Sequence, residues 1–318
     1  MRLGFLGPEG TFTSEAARRA APAAERIPLP TIDAVVDAVR NGDIDQGVVP
    51  IENSIEGSVN LTLDALAFGP PGVLIRGEIL VPISMALLAR PGLALSDITA
   101  VRSQPHALAQ CRGWLAAHLP DVALEAATST AEAARQVAEA DAPVAALGPP
   151  VAAERYGLAV LADDIQDYAG NTTRFVVLGR RMARPTGADR TSLVVFFGED
   201  RPGLLLTILN EFALRGINLS KIESRPTKQA LGEYCIFVDC AGHPTEARVG
   251  EASTTPLRSR ATSGQSDERL GTRRVRGKRR RARCARAGAP GIPPGRGWVL
   301  PRCPRAEEAP PKSLSSRA

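Results

Sequence analysis

Over its first 180 residues this chain alternates short apolar runs with stretches of helical period, and that alternation restricts the fold more than any single motif. Leu3–Leu6, Gln46–Ile51, Val73–Val81, Ser84–Leu88, Ala100–Ser103, Val122–Ala126, Val144–Leu147, Leu158–Leu161 and Arg174–Leu178 read as strands. Helical patterns lie between them. One starts near Ser14, and one is capped by Thr31, carries Val35, Val36 and Val39 on one face and ends at Asn41-Gly42. Others cover Ser58–Ala67, a segment holding Leu108, Cys111, Trp114 and Leu115, a segment capped near Thr128, and one ending at Tyr156. This spacing predicts βαβ units and a mainly parallel sheet, hence an α/β domain over 1–180. Ligands in such sheets sit beyond the carboxyl ends of strands, where helix N-termini present N–H groups that favour anions. Two polar loops fall there: Gly7–Thr13 (GPEGTFT) and Glu52–Ser58 (ENSIEGS).

A polar linker at 181–190 precedes a second, smaller unit over 191–252 that reads as strand, helix, strand, strand. Its helix has Asp200 near the start, Pro202 in the first turn, Leu205, Ile208, Leu209 and Phe212 on one face, and Gly216 at the C-terminal cap. This is a small α+β arrangement. Beyond about residue 253 the composition changes to Arg, Pro, Gly and Ser without apolar periodicity, which predicts a disordered basic tail over 253–318. The net charge of +5 hides that division. Residues 251–318 hold 17 of the 39 basic and 5 of the 34 acidic side chains, so residues 1–250 are acidic overall, with 22 basic against 29 acidic.

No apolar run reaches the ~18 residues that a membrane span needs. The start, MRLGFLGPEG, reads as a strand meeting a glycine turn rather than a secretory leader. The five cysteines are scattered, with neither zinc-ligand spacing nor a disulfide framework, so no metal is expected and a reducing cytoplasmic setting is. The tail lacks aromatic interleaving beyond Trp298 and any recognised nucleic-acid fold, so nucleic acid is not an expected partner.

Four segments together resemble the prephenate dehydratase family, most closely its actinobacterial form: Gly7–Thr13, Val49–Val59 (VPIENSIEGSV), Ser103–Cys111 (SQPHALAQC) and Asn171–Phe175 (NTTRF). They occur in the family's order and at its spacing across nearly all of 1–180. IENS-x-x-G with a downstream TRF is the specific part. The segment that follows resembles an ACT regulatory domain, with ESRP at Glu223–Pro226. The resemblance implies a two-lobed catalytic domain like a type II periplasmic binding protein, with lobes at about 1–76 plus 164–180 and at 77–163 and the site between them. It also implies a cofactor-free lyase of phenylalanine biosynthesis that converts prephenate to phenylpyruvate, with loss of water and carbon dioxide. Phenylalanine would be the effector and a homodimer or homotetramer the assembly. An arogenate dehydratase and a non-catalytic anion-binding protein of the same fold are the rival readings.

By the same resemblance, Thr173 assists departure of the ring hydroxyl. A threonine is a very weak acid, so it reads as a positioned hydrogen-bond donor. Arg174 offers a two-pronged contact to a substrate carboxylate. Glu52 serves either as an acid, if burial raises its pKa, or as the cap of the following turn. Asn53, Ser103, Gln110, Thr11 and Thr130 are the further substrate-binding candidates, Thr130 also as a helix cap. His106 reads as a helix-surface residue and Cys111 as packing.

In the second unit Gly203, Leu204, Asn218, Glu223, Ser224, Arg225 and Pro226 match the family's phenylalanine site, with Gly203 also explicable as a glycine that starts a helix. An ACT fold is β-α-β-β-α-β. Here its second helix begins in Pro244–Ala252 and no closing strand is legible, so the domain reads as incomplete. A frameshift near residue 252 would explain the tail. An unpaired sheet edge, weakened dimerisation and a weakened phenylalanine response would follow.

Overall fold

The computed structural model describes residues 1–197, 202–253 and 298–301. The readings of Asp200 and of the tail beyond 253, the strand at 298–301 apart, lie outside the described residues. The chain divides into two compact units, one built on Met1–Thr186 and one on Gly187–Leu300.

The first unit holds two sheets. One has the order β2-β1-β3-β11-β5: β2 is Glu25–Leu29, β1 Arg2–Leu6, β3 Gln46–Asn53, β11 Thr172–Gly179 and β5 Leu74–Pro82, and a short β4, Gly57–Ser58, pairs with β3. β1 runs parallel to β2 and β3, whereas β11 runs antiparallel to both β3 and β5. In this sheet the parallel pairing of the sequence reading therefore holds only for β2-β1-β3. Because β5 belongs here, the first lobe extends to Pro82 rather than ending at 76. β2 escaped the sequence reading because Pro28 and two charged residues disguise it, a pattern that only an edge strand tolerates. Helices α1 (Phe12–Ala20), α2 (Ile32–Asn41) and α3 (Asn60–Ala67) cover this sheet. Thr31 caps α2 through Ala34 N, and Gly42, at φ 85°, ends it as expected.

The second sheet has the order β10-β6-β9-β7-β8, formed by Ala159–Ala162, Ala86–Ala89, Val144–Gly148, Ala100–Ser103 and Ala123–Ala126. Its central strands are buried on both faces. Leu87, Val101, Ala145 and Leu147 pack on one side, and Ala86, Leu88, Ala100 and Ala146 on the other. Helices α4 (Pro105–Gln110), α5 (Arg112–His118), α6 (Thr130–Glu139) and α7 (Pro150–Tyr156) belong to this lobe. The single helix expected around Cys111 is thus two, broken at Cys111. The carboxylate of Asp167 accepts from Gly113 N and Trp114 N at the start of α5, and a β-carbon at Gly113 would come within 2.9 Å of it.

Two crossing segments join the lobes and bond to each other. Ile83 N donates to Asn171 O at 2.8 Å, Ile165 N to Met85 O at 2.9 Å and Met85 N to Gln166 Oε1 at 2.9 Å.

The second unit has a sheet in the order β13-β14-β12-β15: Leu219–Pro226, Tyr234–Ala241, Arg190–Phe196 and Trp298–Pro301. α8 is Leu204–Ala213, and residues 247–253 are helical. The strand at Trp298–Pro301 corrects the expectation of an open edge, since it lies beside β12. The sequence hid it because a run this short inside an Arg- and Pro-rich segment carries no periodic signal. On α8 the buried residues are Ile208 and Phe212, with Leu204 packed beside them, whereas Leu205 is exposed.

Candidate active site

β-strand alternation divides the TRF segment between two faces. Across the β3–β11 ladder Thr173 lies opposite Asn53, and Arg174 opposite Glu52. Thr173 shares its face with Phe175 and Val81, which pack with Ala16 and Ala17 of α1. The ladder then skips Ile51, because Phe175 pairs with Pro50. Pro50 has no N–H to give, and the bulge turns the strand end where Asn53 sits.

On the Thr173 side the groups are neutral and bonded in a chain. Asn53 Nδ2 donates to Thr173 Oγ1 at 2.9 Å and to Asn171 Oδ1 at 2.7 Å. Asn53 Oδ1 accepts from Ile55 N and Glu56 N, so Asn53, not Glu52, caps the turn after β3. Asn171 Nδ2 reaches Gln110 Oε1 of the other lobe at 3.4 Å. Gln110 Nε2 lies 3.4 Å from Glu56 Oε1 and 3.2 Å from His106 Nε2, and His106 Nε2 lies 2.9 Å from Glu56 Oε1. A polar chain therefore runs from Thr173 through Asn53, Asn171 and Gln110 to an exposed His106–Glu56 pair that ties α4 to the β3–β4 turn. His106 is a surface residue, as read, but one that bridges the lobes. Asn171 and Glu56 were not among the sequence candidates. Asn171 stands two residues before Thr173 inside NTTRF, and that period could have flagged it.

On the other face Arg174 is committed to carboxylates of the protein. Its Nε donates to Glu78 Oε2 at 2.7 Å and its Nη1 to Glu52 Oε2 at 3.2 Å. Strand alternation places the Arg174 and Glu52 side chains on the face opposite Thr173.

The remaining candidates separate by partner. Gln110 is buried and within the chain just described. Ser103 is fully buried and donates to Leu147 O at 2.7 Å, which fastens β7 to β9. Thr11 caps α1, accepting from Ser14 N and donating to Pro8 O. Thr130 is buried at the first position of α6, whose cap is Ser129, not Thr130 and not the expected Thr128. Both helix starts border the gap between the lobes, for a β-carbon on Gly10 would lie 3.2 Å from Tyr156 and 3.8 Å from Ala131, and Tyr156 Oη donates to Glu9 O. Cys111 is fully buried and its thiol is pushed up to about 12 by burial and then by the charge of Asp167, which fits packing. Among the described residues no group of three or more His, Cys, Asp or Glu side chains is placed to hold a metal ion.

In the second unit, Gly203 precedes α8 at φ 84° with open space around its α-carbon, so its conformation alone calls for glycine. Leu204 packs against the unit's core. Asn218 O accepts from Ala241 N. In β13 Glu223 and Arg225 share one half-buried face with Lys221, whereas Ser224 and Pro226 lie on the exposed one. The ESRP residues thus do not all address one ligand face.

The prephenate dehydratase family model matches residues 3–183, more than half of the chain, and the ACT domain model matches 191–252. The chain belongs to the prephenate dehydratase family. The prephenate dehydratase of Mycobacterium tuberculosis is 45% identical over 264 residues, covering 79% of this chain and 81% of that one. The structure of the Arthrobacter aurescens prephenate dehydratase in complex with L-Phe has a TM-score of 0.73 and 47% identity, covering 79% of this chain and 84% of that one. A second structure, GqqA, described as a novel type of quorum quenching acylase, has a TM-score of 0.70 at 28% identity, covering 80% of this chain and 93% of that one. Among the described residues no helix is long and apolar enough to cross a membrane.

Proposed function

We propose that this chain converts prephenate to phenylpyruvate, with Thr173 assisting departure of the ring hydroxyl. The observation that carries the assignment is the bond from Asn53 Nδ2 to Thr173 Oγ1. An amide N–H can only donate, so the threonine oxygen accepts there and its own proton is left to give to a leaving oxygen. Such a donor need not ionise. It has only to bond more strongly to the departing oxygen than to the ground-state hydroxyl. Aromatisation of the ring drives loss of carbon dioxide, so the protein's work is orientation and removal of water. Gln110 orients from the opposite lobe and Asn171 from beside Thr173. The starts of α1 and α6, with Thr11 and Thr130, meet the substrate's carboxylates by their N–H groups. Phenylalanine acts on the ACT domain through Gly203, Leu204, Asn218 and the Glu223–Pro226 strand, in a cytoplasmic homo-oligomer.

Amide hydrolysis, the activity in the name of one structural relative, needs a nucleophile beside a base. Thr173 has an amide donor at that position, and the Cys111 thiol is buried and hard to ionise. The substrate is tested by supplying prephenate and arogenate separately and following phenylpyruvate and phenylalanine. Higher kcat/KM on prephenate is expected. Faster turnover of arogenate, or cleavage of an acyl amide with neither acid consumed, contradicts the proposal.

A further inference from the structure

We infer that Glu78 is a positioning residue for the reaction, acting through Arg174 on the register of Thr173. Glu78 lies within β5, two residues after Arg76 and next to the apolar Ile79–Val81, and its side chain is only 3% exposed. A carboxylate so buried needs a paired partner. Arg174 Nε meets it at 2.7 Å, and Arg174, itself 8% exposed, also reaches Glu52 at 3.2 Å. Glu78 is on β5, Arg174 on β11 and Glu52 on β3, so one guanidinium fastens three neighbouring strands.

The location gives this clamp its role. It lies at the point where the β3–β11 ladder slips past Ile51, between the Arg174–Glu52 and Phe175–Pro50 pairs. A bulge is where a strand most easily changes register or direction. The carbonyls beside it are held by α3 and its approach, Pro50 O by Thr62 Oγ1 and Ile51 O by Val59 N. Across all three strands a side-chain restraint comes from Arg174. Thr173 is the next residue, on the opposite face, and its bond to Asn53 depends on β11 and β3 keeping this offset. Glu78 therefore fixes Arg174, Arg174 fixes the bulge, and the bulge aims the hydroxyl. This chain of effects rests on the reading of Thr173 as the working hydroxyl.

The test is steady-state turnover of prephenate by the full chain carrying Glu78→Met, Glu78→Gln or Glu78→Asp, with Thr173→Ala alongside. Glu78→Met removes the acceptor and is expected to lower kcat ~10²-fold, the scale of a small misplacement of a reacting group, while KM stays within about threefold. Glu78→Gln keeps an oxygen for Arg174 Nε and is expected to restore most of that loss. A residue needed only for stability would lower the melting temperature and leave kcat per folded molecule intact, and that result for Glu78→Met overturns the inference. Should Glu78→Met fail to fold, Glu78→Asp decides: its arm is one methylene shorter, so a ~10-fold lower kcat is expected and an unchanged kcat overturns the inference. In a double-mutant cycle, Glu78→Met added to Arg174→Met should cost no further activity, and additive losses would rule out action through Arg174. An inactive Thr173→Ala beside a fully active Glu78→Met sinks the role of Glu78 alone. A fully active Thr173→Ala sinks the reading of the hydroxyl itself.

Discussion

The two faces of β11 solve opposite problems with adjacent residues. On one, Thr173 sits in a chain of neutral amides from Asn53, Asn171 and Gln110. On the other, Arg174 is gripped by the carboxylates of Glu78 and Glu52. Neutral amides orient a hydroxyl without charging it, and they leave its proton for the ligand. Ion pairs taken out of water are rigid once formed and costly to break. The face that reacts is therefore adjustable and uncharged, and the face behind it is fixed and ionic. TRF looks like one motif in the sequence, yet it serves both faces because a strand turns alternate residues opposite ways.

That contrast can be broken one side at a time. Arg174→Met should cost the most stability, about 3–5 kcal/mol, because Glu78 stays buried without its guanidinium. Urea unfolding would measure it, and a loss near zero would mean that the ionic face is dispensable. Asn53→Ala should leave stability nearly intact beside that variant but lower kcat ~10²-fold, since it frees both Thr173 and Asn171. Turnover within twofold of the parent would remove the amide chain from the account. Ser103→Ala should cost about 1 kcal/mol of stability with kcat unchanged, because its hydroxyl is spent on Leu147 O. A selective rise in KM would return Ser103 to the substrate. The smallest effect is expected at Cys111. With its thiol pushed up to about 12, almost no thiolate exists at pH 8, so a thiol reagent should leave the native chain unlabelled there. Labelling at the rate of an open cysteine would contradict the burial.

Much of the first unit was legible because local and long-range signals agree in it. Thr31, the Val35–Val36–Val39 stripe and Gly42 mark a helix from end to end, and the structure keeps all of them. The strands at Val144–Leu147 and Arg174–Leu178 are apolar runs that only a buried sheet accommodates. What escaped depends on partners distant in sequence. β2 is a strand because β1 pairs with it. The antiparallel course of β11 follows from a chain that returns after building the second lobe. The protein partners of Arg174 escaped for the same reason. Residue type says that a guanidinium binds carboxylates, but only the fold reveals that those carboxylates belong to the protein. Glu78 carried a faint signal, a carboxylate abutting the apolar Ile79–Val81. The second unit was harder. Alternation in β13 divides Glu223 and Arg225 from Ser224 and Pro226, and the strand at Trp298–Pro301 joins the sheet from far along the chain.

The central claim is that Thr173 gives a hydrogen bond to the departing hydroxyl. It is tested most directly by single-turnover formation of phenylpyruvate from prephenate by the parent, Thr173→Ala and Thr173→Ser. A loss of ~10²–10³-fold in Thr173→Ala, with substantial recovery in Thr173→Ser and little change in substrate affinity, is the predicted result. Equal rates for the alanine and parent chains, both folded, would contradict it.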